Sequence, residues 1–457
     1  MKSVALHNLG CKVNGYEMDV MQQLLEDAGY RVVAFDEQAD IYIINTCTVT
    51  NIADRKSRQM IHRARSLNPG AVVVAAGCYV QTGGERALLD EGIDLAIGNN
   101  RKRELPAILQ EFFADSEKEG KPDKTLGGKA LSDIGAVSEF ESMMLRRTAE
   151  HTRAYIKIQD GCNQFCSYCI IPYARGRVRS RDAEEILREV EGLAANGYRE
   201  VVLTGIHLSS YGLDLDGRKS VSEGESFPYQ RLLSLIREIH KVEGIRRIRL
   251  GSLEPRIITE EFAGQLAMLD KVCPHFHLSL QSGCDAVLKR MNRKYTAGEY
   301  YNKVCILRKH FADPAITTDV IAGFPGETEE EFETTRAFLE KAGFYEMHIF
   351  KYSMRRGTAA ASMKNQIPEG EKARRSGRLM ELEAQMSHSY RQAHIHKKTT
   401  VLFEEEKEIG GRKYQIGHSP EYIKAAFPSG ERLSGRIAAG EFEDFLQPDI
   451  LLFRRLS

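Results

Sequence analysis

Apolar and polar positions along this chain fall into three regimes. From residue 1 to about 113, short apolar runs alternate with amphipathic ones. Ser3-Val-Ala-Leu-His-Asn-Leu-Gly, Asp40-Ile-Tyr-Ile-Ile-Asn-Thr and Ala71-Val-Val-Val-Ala-Ala-Gly are nearly continuous runs of the kind buried parallel strands require. Helical spacing falls on Glu17–Ala28, Asp54–Ser66 and Arg101–Phe113, with Gly29 at the C′ position of the first. This alternation predicts a small doubly wound parallel α/β domain over 1–113. Residues 114–150 turn polar, with Asp115-Ser-Glu-Lys-Glu-Gly-Lys-Pro and Gly127-Gly-Lys, and read as a linker with one extended segment.

The βα rhythm resumes over 151–390. Strands are predicted at Arg153–Gln159, Glu200–Leu203, Arg246–Leu250, His275–Leu280, Ile316–Ile321 and Glu346–Phe350. Helices are predicted at Ala183–Ala195, Tyr229–Val242, Glu260–Leu269, Ala297–Lys309 and Glu327–Ala342, with Asp182 as an N-cap and Glu185 at capping-box spacing. Six such units make a partial (β/α)6 TIM-like barrel, and the missing units leave a lateral opening for a bulky substrate. A long helix over Pro368–His396 then leads into a C-terminal domain, 391–457, whose residues 398–457 read as all-β, with five short strands that predict a small closed barrel.

Composition narrows the functional classes. The 64 basic and 64 acidic residues cancel, so any nucleic-acid contact must come from local patches. No apolar run approaches the roughly 18 residues of a membrane span, and the first residues lack a signal-peptide core. A cytoplasmic protein without a membrane partner is expected. Thiols stay reduced in that compartment, so nine cysteines point to metal or catalysis before disulfides.

Six of the nine form two triplets. Cys162, Cys166 and Cys169 lie in one run, C-x3-C-x2-C, just past the first barrel strand. Three thiolates on one loop can hold three irons of a four-iron cubane and leave the fourth iron open for a substrate. Zinc would want a fourth Cys or His close by, and none follows. Cys11, Cys47 and Cys78 are scattered in sequence, yet each sits just past the carboxyl end of a predicted strand, the edge where open α/β sheets bind ligands. Cys273, Cys284 and Cys305 fall outside both triplets and read as structural.

The cluster loop following the first barrel strand resembles the radical S-adenosylmethionine superfamily over about 150–385. In that superfamily the open iron chelates the methionine moiety, and an electron passed into the sulfonium yields a 5′-deoxyadenosyl radical. The resemblance implies an adenine-side aromatic at Tyr168 and a methionine-amine segment at Leu203-Thr204-Gly205-Ile206. It also implies a cofactor-binding turn at Thr318-Asp-Val-Ile-Ala-Gly323-Phe-Pro325-Gly-Glu327. Leu9-Gly-Cys11-Lys-Val-Asn14, Asn45-Thr-Cys47-Thr-Val-Thr50 and Ala76-Gly-Cys78 resemble the signature of methylthiotransferases, and the C-terminal barrel resembles their RNA-binding TRAM domain. For that family the resemblance implies two 4Fe-4S clusters, one held by each triplet. Two S-adenosylmethionine molecules serve, one as methyl donor and one as radical source, and a methylthio group is inserted at C2 of an adenine.

Isopentenyladenosine-type members usually read G-C-Q-M-N and V-P-Y-T-R-G, and ribosomal-protein-type members read G-C-P-K-N. This chain has Gly-Cys11-Lys-Val-Asn and Ile171-Pro-Tyr-Ala-Arg175-Gly-Arg177, most similar to the MtaB type that acts on N(6)-threonylcarbamoyladenosine beside the tRNA anticodon. Expected partners are that tRNA, a low-potential electron donor (flavodoxin or ferredoxin) and a sulfur donor. Alternatives are the isopentenyladenosine or ribosomal-protein substrate, or an RNA-binding iron–sulfur protein without catalysis.

Charge patterning adds candidate RNA contacts. Arg175, Arg177, Arg179 and Arg181 alternate after the cluster loop and, if extended, project from one face toward phosphates. One of them, Arg177, is a candidate for the threonyl carboxylate. Arg55, Lys56, Arg58, Arg63 and Arg65 crowd the helix after Cys47 and read as a solvated face or a second patch. In the C-terminal barrel, Tyr414, Tyr422, Lys424 and Phe427 mix stacking and basic types.

Overall fold

The structure, a computed structural model, describes residues 1–456 apart from 120–122, 127, 149–151, 219, 223 and 429. The N-terminal unit runs β1 (Ser3–Asn8), α1 (Lys12–Asp27), β2 (Arg31–Val33), β3 (Ile41–Thr46), α2 (Asn51–Leu67), β4 (Val72–Gly77), α3 (Cys78–Gly83), α4 (Glu85–Leu88), β5 (Leu95–Ile97) and α5 (Leu105–Glu119). Its five strands are all parallel in the order β2-β1-β3-β4-β5. Apolar cores lie on both faces, one around Val4, Ile41, Ile43 and Leu109, the other around Tyr42, Ile44, Val73 and Ile61. Strands buried on both sides must read as unbroken apolar runs, and these do.

The expected linker is less free than its polarity implies. Helix α5 continues to Glu119. Leu126, Ala130 and Ile134 are buried, and Met143 and Leu145 join the core of the following domain. Part of the polar run, Gly120–Pro122, and Gly127 lie outside the described residues.

The second unit begins with β6 (Ala154–Asp160), α6 (Ile171–Arg175), β7 (Arg179–Ser180), α7 (Ala183–Ala195), β8 (Glu200–Gly205), α8 (Gln230–Lys241) and β9 (Arg247–Leu250). It continues through α9 (Glu260–Ala267), β10 (His275–His277), α10 (Asp285–Arg290), α11 (Ala297–His310), β11 (Ala315–Ala322), α12 (Glu329–Ala342), β12 (Glu346–Lys351) and α13 (Glu369–Gln392). β6, β8 and β9 pair in parallel, as do β10, β11 and β12, and parallel bridges at Ile248–Val272 and Leu253–Leu278 join the two sheets. The antiparallel β7 borders β6. Asp182 caps α7 through the Glu184 and Glu185 amides, while the Glu185 side chain turns to Ser142 rather than closing a capping box.

Strand alternation divides the barrel into inside and outside. Ala154, Ile156 and Ile158 pack with Leu193 and Ile236 of the covering helices. Tyr155, Lys157 and Gln159 must therefore face the lumen. Helix α1 of the N-terminal unit meets that inner face: Gly15 abuts the Tyr155 ring, and Glu17 accepts from Lys157 Nζ at 2.8 Å.

The C-terminal segment is a closed five-stranded barrel of β13 (Lys398–Ile409), β14 (Arg412–His418), β15 (Lys424–Pro428), β16 (Ile437–Gln447) and β17 (Ile450–Arg455), ordered β13-β14-β15-β17-β16. It sits at the strand-start end of the large barrel. Arg247 donates to the carbonyls of His418 and Thr400, both at 2.8 Å, and Arg249 to that of Pro420 at 2.8 Å. Tyr422, in left-handed backbone at φ 70°, stacks between His418 and His275 with the Arg153 and Arg249 guanidiniums 5.0 and 4.8 Å from its ring centre.

Candidate active site

Each cysteine of the scattered triplet leaves the end of a neighbouring strand. Cys11 follows β1, Cys47 directly follows β3 and Cys78 directly follows β4, and these three strands are adjacent in the sheet. Gly10 (φ 129°) makes the turn into Cys11, where a Cβ would come within 3.1 Å of the Cys47 Cβ. Burial, and then the Cys78 thiol beside it, push Cys47 up to about 11. Asn99 Nδ2 donates to Cys78 Sγ at 3.3 Å and to the carbonyl of Ala174 at 2.7 Å, joining this triplet to the short helix α6 behind the second one.

The second triplet lies on the loop between β6 and α6. Gly161 (φ 70°) opens the loop, and a Cβ there would lie 1.8 Å from the Arg177 carbonyl oxygen, so only glycine fits. Arg293 Nη1 donates to Cys166 Sγ at 3.3 Å and its Nη2 to the Ser279 carbonyl at 3.0 Å. Burial and the neighbouring Cys166 push Cys169 up to about 12. Burial thus favours the neutral thiol at Cys47 and Cys169, and metal loading there must release protons.

A cavity of about 340 Å³ opens above this loop. Its walls include Cys162, Cys166, Tyr168 and Cys169, with His207 after β8, Gln281, and Asp319 and Ile321 of β11. Val49 and Thr50, two and three residues beyond Cys47, complete it, so the loop that follows Cys47 shares this space with the Cys162 triplet. Burial, with Arg293 and Arg256 nearby, drives His207 down to about 3, and its Nε2 is a buried atom without a hydrogen-bond partner.

The residues present fit two iron–sulfur clusters better than single ions. Among the described residues, only His277, Asp319 and His348 bring three ligand atoms within 4.8 Å of one another. Neither thiol triplet closes to the spacing of a single zinc, and N–H donors already point at sulfur in both. Tyr168 lines the cavity, edge-on to Phe324 at 6.5 Å. Thr204 and Gly205 end β8 just before the lining residues Ile206 and His207. Gly323 and Pro325 do not line the cavity. The Gly323 amide is held by Glu327 at 2.9 Å, and Lys372 of α13 fills the space beside it. The lining side chains of that strand come earlier, at Asp319 and Ile321.

The arginine ladder needs correcting. Ile171–Arg175 is helical, with Pro172 at its start, so the four arginines do not share a strand face. Arg175, Arg179 and Arg181 are buried. Arg175 meets Glu17 at 2.8 Å and Asp160 at 3.2 Å, Arg179 lies 3.7 Å from Asp160, and Arg181 pairs with Glu189. Only Arg177 is exposed, its guanidinium 4.6 Å over the Phe165 ring. Tyr422 is likewise taken up in the domain contact, Lys424 lies 3.4 Å from Asp449, and Tyr414 is buried. Of the α2 cations, Arg63 and Arg65 pair with Asp36 and Asp94, whereas Arg55, Lys56 and Arg58 are exposed. Of the three extra cysteines, Cys273 and Cys284 are buried, as structural thiols should be, but Cys305 is exposed.

Sequence reasoning missed the charge network that joins the domains. Glu17 of α1 accepts from Lys102, Lys157 and Arg175, and Asp160 accepts from Lys157 at 2.6 Å and from Arg175. Burial alone would raise Glu17; Arg175, Lys102 and Lys157 outweigh it and hold the carboxyl well below the usual range.

Comparison with known proteins agrees with this geometry. The profile of the radical SAM superfamily matches residues 156–339, and that of the uncharacterized protein family UPF0004 matches residues 3–98. The threonylcarbamoyladenosine tRNA methylthiotransferase MtaB of Bacillus subtilis is 40% identical over the whole of both chains. The chain belongs to the radical S-adenosylmethionine tRNA methylthiotransferases. The methylthiotransferase is also 36% identical to the tRNA-2-methylthio-N(6)-dimethylallyladenosine synthase of Moorella thermoacetica, over 95% of this chain and 94% of that one. Among solved structures, the radical S-adenosylmethionine methyltransferase TsrM of Kitasatospora setae aligns with a TM-score of 0.56 at 18% identity, over 77% of this chain and 73% of that one, a likeness of fold. Among the described residues, no helix is long and apolar enough to cross a membrane.

Proposed function

We propose that this methylthiotransferase inserts a methylthio group at C2 of N(6)-threonylcarbamoyladenosine at position 37 of tRNA. Cys162, Cys166 and Cys169 hold one 4Fe-4S cluster, and Cys11, Cys47 and Cys78 hold a second. When bound, the two clusters and two S-adenosylmethionine molecules supply the radical and the methylated sulfur. The observation that carries this reading is the shared cavity, whose walls come from the Cys162 loop and from Val49 and Thr50 beside Cys47. A base entering there meets the Cys162 triplet and the loop that follows Cys47.

The chain's own groups bind and orient. Arg293 braces Cys166, and Asn99 braces Cys78 against α6. His207 offers its unpartnered Nε2, a neutral donor or acceptor, to the cofactor's nucleoside. A second groove of about 690 Å³, lined by Thr48, Asn51, Tyr79, Arg58, Arg86 and Arg356 among others, borders the Cys47 and Cys78 loops and suits backbone phosphates. Arg177, exposed beside the cluster loop, is assigned to the same RNA surface, and the C-terminal barrel is assigned as a TRAM domain. The sulfur donor and a flavodoxin- or ferredoxin-type reductant complete the partners.

The test is anaerobic. The protein is reconstituted with iron and sulfide and given S-adenosylmethionine, a reductant and tRNA bearing threonylcarbamoyladenosine, and the digested tRNA is read by mass spectrometry. The methylthio nucleoside is the expected product. Reaction of isopentenyladenosine tRNA alone would overturn the substrate, and deoxyadenosine without either product would overturn the methylthiolation.

A further inference from the structure

The chain leaving β12 touches the loops of both cysteine triplets. From Phe350 to Ser353 it lines the cavity, and it then carries Arg355 to the N-terminal unit. Arg355 is buried, and its guanidinium donates to Thr48 Oγ1 at 2.7 Å, Asn51 Oδ1 at 2.6 Å and Asp54 Oδ2 at 2.7 Å. Thr48 Oγ1 in turn donates to Asp54 Oδ1 at 2.7 Å, and the Asn51 amide donates to Ser353 Oγ at 3.0 Å. These partners bracket Val49 and Thr50, the two residues that bring the Cys47 side into the cavity wall. Further on, the Ala360 amide donates at 2.7 Å to the carbonyl of Ser167, which lies between Cys166 and Cys169. Thr358 fixes the turn between these two contacts, its amide and hydroxyl both donating to the Arg355 carbonyl. One short strap thus runs from the loop of one triplet to the loop of the other.

We propose that Arg355 is a positioning residue for methylthio insertion. It holds the loop after Cys47 against the cavity wall, so that cofactor cleavage leads to modified base rather than to deoxyadenosine alone. The assignment rests on the function proposed above and deepens it. Cys47 itself does not depend on this grip: its amide and carbonyl both meet Ser57 Oγ, at 3.4 and 3.1 Å, within the N-terminal unit. Arg355 acts beyond the cysteine, where the loop enters α2. A planar guanidinium that meets three acceptors fixes direction as well as distance, which a single ammonium does less well. Without it the loop keeps its cysteine but loses its main attachment to the barrel. A misplacement of about 1 Å at a reacting centre can slow the reaction about 100-fold.

The experiment compares full-length wild type, Arg355→Met and Arg355→Lys. Hydrogen–deuterium exchange, before and after reconstitution with iron and sulfide, reads the grip directly. Amides of residues 48–54 should exchange roughly 10–100-fold faster in R355M, the worth of one hydrogen bond to a charged group. Iron content and deoxyadenosine formation should match the wild type. The methylthio nucleoside formed per deoxyadenosine should fall about 10–100-fold in R355M, with part of the ratio recovered in R355K. Proportional losses of iron, deoxyadenosine and product, which leave that ratio unchanged, would show a merely structural arginine and overturn the proposal. Unchanged exchange over 48–54 would overturn it too. Should R355M load iron poorly, Asp54→Asn removes the same ion pair and must lower the ratio at full iron content. Absence of methylthio product from the wild type would instead overturn the proposed function, and the role of Arg355 with it.

Discussion

Replacing Glu17 with Gln tests whether the seam between the domains is held by charge. Glu17 has no exposed surface and is the common acceptor for Lys102, Lys157 and Arg175. Neutralising it leaves Asp160 as the carboxylate paired with Lys157, Arg175 and Arg179, with Glu141 also near Lys157, and leaves Lys102 with Asn99 at 3.1 Å as its hydrogen-bond partner. Removing one member of a buried ion cluster strands the others, and such changes cost about 3–5 kcal/mol. At about 2–4 °C per kcal/mol for domains of this size, the melting temperature should fall on the order of 10 °C. Circular dichroism melts and urea midpoints of E17Q give the shift, and E17Q combined with Lys157→Met should recover part of it by removing one stranded cation. The acid limb gives a second reading. The Glu17 carboxyl is held below its unfolded value, so its contribution is fully present above the ordinary carboxylate range and is lost as pH falls through the lowered folded value. E17Q should therefore lose less stability on acidification than the wild type. A loss under about 1 kcal/mol, or no recovery in the double variant, would refute the charge argument.

Other outcomes follow from the site. Cys166→Ala should abolish S-adenosylmethionine cleavage, whereas Cys47→Ala should leave uncoupled deoxyadenosine formation without thiomethylated product; normal product from either would remove its triplet from the assignment. Gly161→Ala should displace the loop carrying Cys162 and lower the iron bound after reconstitution, because its Cβ would collide with the Arg177 carbonyl; full iron content would show that the loop yields. Tyr422→Ala should free the C-terminal barrel from the Arg153, Arg249 and His275 contacts and expose the helix–barrel junction after Gln392 to limited proteolysis, an effect visible by mass of the fragments.

Most of the scaffold was legible because its strands are buried on both faces. Runs such as Ile41–Thr46 and Val72–Gly77 leave no other reading, and each ends at a cysteine. The ladder of Arg175, Arg177, Arg179 and Arg181 misled because alternation is also what an exposed strand shows. The acids that bury Arg175 lie 158 residues away at Glu17 and 15 away at Asp160, and no local pattern announces them. The fourth strand of the small barrel was expected at Arg432–Ala438 but runs Ile437–Gln447, since the Gly435 turn at φ 79° precedes it and its outward acidic residues mask the inward Phe442. Helix α1 starts at Lys12 rather than Glu17, with Cys11 as a cap whose side chain makes no capping bond. Its first turn carries motif residues, so nothing in it advertises a helix start.

The seam also defines what can be exchanged between relatives. Glu17 and Lys102 belong to the first domain, while Lys157, Asp160, Arg175 and Arg179 belong to the second. A chimera joined in the linker would set four buried charges against a foreign face. Grafting a different N-terminal domain, to change what the enzyme recognises, thus requires carrying those four positions along with it, so the transplantable module is discontinuous in sequence although it is contiguous in space.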